Sequence, residues 1–240
     1  MAGPAALVAP ALKRHTSTVI VAHGLGDSGA GWSFLAESFR RRSLFPETKF
    51  IFPNAATIPI TANMGMSMPG WYDILNFTEL LSERSEDEPG ILRSQRYFHS
   101  LINEEINTHN IPSDRIILGG FSQGGAMSLF SGVTSDKKLG GVFGLSCYML
   151  LQGKLKGLID QSGGVNNETP VFMGHGDSDP LVLPRWGKAT ADQLKEWGFK
   201  VDLKIYPGLP HSAAPEEIED LEKWLQERIP ELGDDKASKA

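Results

Sequence analysis

The sequence predicts a single α/β domain built on a mostly parallel sheet, and three observations lead there. Short apolar runs alternate with longer amphipathic stretches, the pattern of successive βαβ units. No internal repeat or polar linker divides the 240 residues, a length that one large core can enclose. The third is Gly120-Phe121-Ser122-Gln123-Gly124-Gly125, which follows the apolar Ile116-Ile117-Leu118 and precedes a helix-forming run from Ala126 to Phe130. A strand that turns this sharply into a helix strains its central residue, and glycines on either side let the chains approach without Cβ clashes.

The elements follow in order. Val19 to Ala22 reads as a strand, Trp32 to Arg42 as the helix after it, and Lys49 to Phe52 as a strand stopped by Pro53. From Ile91 to Thr108 a long helix is expected, because Ile91, Phe98, Leu101, Ile102 and Ile106 trace one apolar face. Beyond the serine turn, strands are expected at Gly141 to Leu145, Val171 to Met173 and Val201 to Tyr206. Lys188 to Trp197 reads as a helix, and so does Glu216 to Arg228, with Pro215 at its first turn and Pro230 after its end. The expected organisation is an N-terminal extension over 1–17, one domain over 18–232, and a polar, disordered tail over 233–240. Two stretches show no regular period: Thr57 to Asp73, with Met64, Met66 and Met68, and the acidic Leu81 to Pro89, read as a solvent loop. The methionine-rich stretch is a candidate lining for an apolar site, and ordinary core methionines explain it equally well.

Composition narrows the function. A net charge of −6 with no basic stripe argues against nucleic-acid binding, and Arg40-Arg41-Arg42 reads as a solvated helix end. Cys147 is the only cysteine, so nothing points to an oxidising compartment. No apolar run is long enough to span a bilayer, no secretory signal is evident, and Ala2 excludes N-myristoylation. Cytoplasmic residence, extending to the nucleus, is the expectation, with at most transient contact with a membrane surface.

The chemistry centres on Ser122. A serine hydroxyl needs a base to take its proton, and the base needs an acid to hold it in one tautomer. Where the serine sits on a strand-to-helix elbow of the α/β-hydrolase fold, the chain order is Ser, then Asp or Glu, then His. After Ser122 the histidines are His175 and His211. His211 lies in the turn-rich loop after the Val201 to Tyr206 strand and is the expected base; His175 sits too early and reads as a packed residue. Asp177 and Asp179 compete as the acid, and order does not separate them. Pro180 and the apolar Leu181-Val182 would anchor Asp179, whereas Asp177 suits a turn. The oxyanion donors expected are the amides of Gln123 and of Leu25, in the loop His23-Gly24-Leu25-Gly26-Asp27. His23 reads as a brace for that loop. The histidines and aspartates lack metal-ligand spacing, and the Gly24 to Gly31 loop lacks phosphate-binding motifs, so neither a metal nor a cofactor is expected.

Together His23 to Asp27, Met68-Pro69-Gly70-Trp71-Tyr72-Asp73, Arg115 to Ala126, His175 to Val182 and Gly208 to Ser212 resemble the acyl-protein thioesterase/lysophospholipase (carboxylesterase) family, over about residues 18–229. The resemblance implies an α/β-hydrolase that removes palmitoyl groups from protein cysteines, also acts on lysophospholipids and short esters, and uses no cofactor. It implies a triad of Ser122, Asp179 and His211 and oxyanion amides at Leu25 and Gln123. It also implies an acyl channel formed partly by 61–73, with Met64, Met66, Met68 and Trp71 as substrate-binding residues. Ser146-Cys147-Tyr148-Met149-Leu150 departs from the family's Ser-Cys-Trp and Leu-Pro pattern. The implied substrates are S-acylated proteins and acyl esters. Apolar loops around the site would offer a surface for a homodimer. Two other readings have different discriminators: a general carboxylesterase would prefer short oxygen esters, and a non-catalytic binding protein on this scaffold would have lost a triad member.

Overall fold

The computed structural model describes residues 3–77 and 86–233. Its centre is a seven-stranded sheet of β1 (Leu7–Ala9), β2 (Ser17–Ala22), β3 (Thr48–Phe52), β6 (Ile116–Phe121), β7 (Gly141–Leu145), β8 (Val171–Gly176) and β9 (Val201–Tyr206). The spatial order is β1-β3-β2-β6-β7-β8-β9, and only β1 runs antiparallel to its neighbour. β2 lies between β3 and β6, with Val19 opposite both Phe50 and Ile117. A separate two-stranded hairpin joins β4 (Thr57–Ile60) to β5 (Met66–Pro69).

Alternation along the strands divides the apolar residues between two cores. Ile20, Ala22 and Leu118 face one core, which also holds Phe98 of α3 (Glu88–Asn107), Met127 of α4 (Gln123–Val133), Ile159 of α5 (Gln152–Gln161) and Leu194 of α6 (Pro184–Glu196). Val19, Val21 and Phe143 face the other, with Trp32 of α1 (Gly29–Trp32), Phe39 of α2 (Phe34–Arg41) and Leu225 of α7 (Pro215–Arg228). Helices therefore cover both faces, as a mostly parallel sheet requires. Every residue of α4 is buried, which places the helix behind the serine turn inside the protein.

The structure corrects four expectations. The 1–17 extension carries β1, which pairs Leu7 to Ala9 with Phe52 to Phe50 at the sheet edge. The 57–73 stretch is the β4–β5 hairpin with a short 3₁₀ turn at Thr61–Asn63, not an irregular loop. The single helix expected from Trp32 to Arg42 is two, broken at Ser33. Of the acidic 81–89 stretch, residues 81–85 lie outside the described residues. Glu86 bridges Ile74, Asp87 caps α3 by accepting from the Gly90 N–H at 3.0 Å, and Glu88-Pro89 begin that helix. The cap and the proline start α3 three residues before its apolar face. Of the expected tail, 234–240 also lies outside the described residues.

Candidate active site

The C-terminal ends of β6 and β8 and the loop after β9 converge on one point. Ser122 closes β6 and caps α4 with φ +53° and ψ −122°, a conformation that costs a non-glycine residue on the order of 1–3 kcal/mol. The neighbouring glycines make it possible: a Cβ on Gly120 or on Gly124 would overlap the Ala22 carbonyl oxygen. The Ser122 hydroxyl lies 2.9 Å from His211 Nε2, and His211 Nδ1 lies 2.7 Å from Asp179 Oδ2. Because the carboxylate accepts, the proton sits on Nδ1 and leaves Nε2 free to accept from the serine. The Phe121 ring packs on the imidazole at 4.8 Å between centroids and limits its rotation.

Asp179 is buried and built as an acceptor. Burial pushes its carboxyl pKa up. The His175 and His211 imidazoles and the Leu181 N–H outweigh this and hold it well below the usual carboxylate range. Of the two imidazoles His211 is the hydrogen-bond partner; His175 Nε2 is 3.6 Å from Oδ2 and instead donates to the Val182 carbonyl at 2.8 Å. Oδ1 accepts from the Leu181 and Val182 N–H groups, each at 2.9 Å. The apolar residues that were expected to anchor Asp179 thus do so through their backbone. Asp177 accepts from the Gly208 N–H at 2.7 Å and the Ser178 hydroxyl at 2.9 Å, and so ties down the loop that carries His211.

Beside Ser122 opens a cavity of about 520 Å³, within the range of small-molecule sites. Its walls come from separate loops: Leu25, Ile74 and Phe77, Tyr148, and Leu181 with Val182. Gln123 reaches it, and the N–H groups of Leu25 and Gln123 have no protein acceptor among the described residues. The N-terminus of α4 adds a favourable field for a developing negative charge.

The expected substrate-binding residues lie elsewhere. Met64 is 89% exposed at the hairpin tip and Met66 is 51% exposed. The sulfur of Met68 packs toward Gly26, and Trp71 is buried behind Gln123; none of the four lines the cavity. Met66 and Met68 share one face of β5, but the strand carries them away from Ser122 toward the exposed tip at Met64, a placement invisible while the stretch reads as an irregular loop. Sequence reasoning missed Tyr148, whose hydroxyl bonds that of Tyr72 at 2.8 Å inside the protein. Burial pushes both phenols up, so they remain protonated. The one signal was that Tyr148 lies where the sequence departs from the family pattern. Among the described residues no cluster of His, Cys, Asp and Glu could hold a metal ion, and no helix is long and apolar enough to cross a membrane.

A serine hydroxyl on an elbow, a histidine with its tautomer fixed and two unpaired amides beside an apolar cavity form a set suited to acyl transfer. Residues 4–229 match the phospholipase/carboxylesterase family. The chain belongs to this family. It is a hydrolase family, and the observed sheet is its α/β-hydrolase fold. Among relatives, the acyl-protein thioesterase 1 of Emericella nidulans is 57% identical, with 94% of this chain and 96% of that protein covered. The Neurospora crassa acyl-protein thioesterase 1 is 52% identical over 98% and 96%. The crystal structure of Zea mays acyl-protein thioesterase 2 superposes with a TM-score of 0.80 at 29% identity, covering 93% of this chain and 98% of that one.

Proposed function

We propose that this hydrolase cleaves acyl thioesters on S-acylated proteins, palmitoylated cysteines included, with Ser122 as nucleophile, His211 as general base and Asp179 as its orienting acid. The observation that carries the reading is the continuous hydrogen-bonded series Asp179–His211–Ser122 at the mouth of an apolar cavity. The names of the relatives support the thioester as substrate.

The Ser122 oxygen attacks the acyl carbonyl carbon while its proton passes to His211 Nε2. The carbonyl oxygen becomes an oxyanion and is held by the Leu25 and Gln123 amides; losing one such donor typically costs about 10²–10³ in turnover. Collapse breaks the carbon–sulfur bond, and the thiolate leaves with the proton from His211. Water then attacks the acyl-enzyme, His211 takes its proton, and a fatty acid and free Ser122 result. The acyl chain lies in the cavity. A second reading keeps the same residues but takes small oxygen esters or lysophospholipids, as the family's description allows.

The test is hydrolysis of matched thioesters and oxygen esters, from short acyl to palmitoyl, by wild type and Ser122→Ala. Preference for long thioesters, lost in the variant, supports depalmitoylation. Preference for short oxygen esters moves the function to a general carboxylesterase. Full activity in Ser122→Ala rejects both.

A further inference from the structure

Trp71 lies outside the cavity, yet it bonds to both segments that carry the expected oxyanion donors. Its backbone N–H donates to Gln123 Oε1 at 2.8 Å, and Gln123 Nε2 donates onward to the Tyr72 carbonyl at 2.7 Å. The first residue of α4, whose own amide has no protein acceptor among the described residues, is thereby clamped to the chain leaving β5. On its other side the Trp71 indole N–H donates to the His23 carbonyl at 2.8 Å. The Ser94 hydroxyl donates to the Trp71 carbonyl and fixes it from α3.

His23 continues the path. Its Nε2 accepts from the Ala55 N–H at 3.1 Å, so the proton lies on Nδ1, which donates to the Gly24 carbonyl at 2.6 Å. In a trans peptide the carbonyl and the following N–H point in opposite directions. Pinning the Gly24 oxygen toward His23 therefore turns the Leu25 N–H away from the ring. Burial lowers the His23 pKa and keeps the ring neutral, as this arrangement needs. A further bond, from the Gly26 N–H to the Pro69 carbonyl at 2.8 Å, ties the same loop to β5. Gly24 lies close enough to Ser122 that a Cβ on it would sit 3.4 Å from the serine Cβ.

The geometry points to Trp71 as a positioning residue for acyl transfer: through the His23 carbonyl on one side and the Gln123 side chain on the other, it sets the spacing and aim of the Leu25 and Gln123 amides. It touches no reacting atom. Two amides on different loops form a hole for one oxygen only if their separation is held, and Trp71 bonds to both loops. The role depends on Ser122 being the nucleophile.

Trp71→Phe keeps an aromatic ring against His23, Tyr97 and Phe98, whose centroids lie 5.1, 6.3 and 5.0 Å away, and removes the indole donor together with part of the ring volume. The readouts are kcat, KM and inhibition by a trifluoromethyl ketone carrying the same acyl chain, which adds to the serine as a tetrahedral oxyanion. Loosening the donors without removing them is expected to lower kcat about tenfold, less than deletion of a donor, with KM within about twofold. Affinity for the ketone is expected to fall by the same factor, while that for the product fatty acid stays unchanged. Gln123→Met, which keeps shape but removes both side-chain bonds, is expected to act alike and supplies the test if Trp71→Phe does not fold. The two together should lower kcat no further than the larger single loss, because they cut one connection. A ketone affinity that does not follow kcat, or losses that multiply, overturns the role. Should Ser122→Ala keep its activity, the acyl-transfer reading itself fails, an outcome separate from a fully active Trp71→Phe beside an inactive Ser122→Ala.

Discussion

Two of the protein's buried carboxylates lie at opposite ends of its parallel strands, and they are held for different ends. Glu105 of α3 lies at the N-terminal ends of β2 and β3. Lys49 Nζ donates to its Oε1 at 2.5 Å and the Thr18 hydroxyl to its Oε2 at 2.6 Å, with His15 and His109 at 3.6 and 3.7 Å. Asp179, at the C-terminal ends, is as deeply buried, but one of its partners is an imidazole whose far edge reaches a hydroxyl at a cavity. Burial and pairing are common to both. What separates a structural carboxylate from a working one is a proton path that ends at a space where a substrate fits.

The largest expected effect sharpens this comparison at the site end. Asp179→Asn should lower kcat by about 10³–10⁴ through loss of the required His211 tautomer, measured on a thioester with folding checked by circular dichroism. Asp177→Asn should cost much less, since it acts only through the Gly208 and Ser178 bonds; equal losses would mean that loop anchoring, not the proton path, is what counts. At the other end, Glu105→Ala should cost on the order of 3–5 kcal/mol of stability in urea unfolding, because it strands the Lys49 ammonium, yet leave kcat nearly unchanged. A large loss of kcat in a folded Glu105→Ala would break the comparison.

Another buried carboxylate, Glu217, has neither kind of partner. Glu217 of α7 is fully buried against Gly174, neither oxygen has a well-formed hydrogen bond among the described residues, and burial pushes its pKa up from 4.5 to about 7, with the Ala214 N–H offsetting this only in part. The folded state therefore holds this proton more tightly than the unfolded chain does. Stability should fall as pH rises from 4.5 to about 7 and be level above, by on the order of 3 kcal/mol in all. Glu217→Gln should remove that slope in urea unfolding across the same range, and an unchanged slope would show that other groups set it.

Much of the fold was legible because its signals are local. The glycines around Ser122 answer to steric contacts within one turn, and the apolar face of α3 to the helical period. What was missed has weak local signals. Leu7 to Ala9 become a strand only by pairing with β3, and α5 carries Gly153 and Gly157, poor helix formers, so it left no clear pattern. In the β4–β5 hairpin, Pro59 and Gly65 obscure the alternation. At the site, the Ser122, Asp179 and His211 set was readable from chain order and loop chemistry, whereas the cavity wall was not. Met64 and Met66 have the composition of a binding surface but stand at and beside an exposed hairpin tip, and Tyr148 and Ile74 meet from distant segments.

The sequence by itself determined the α/β class, the strained serine turn and the residue types for acyl transfer, because each follows from steric or chemical demands on a few consecutive residues. Only the tertiary structure decided where the cavity opens and that Trp71 spans the two amide loops. Those outcomes depend on distances between segments far apart in the chain, set by how β6, β8 and the β4–β5 hairpin pack at one end of the sheet.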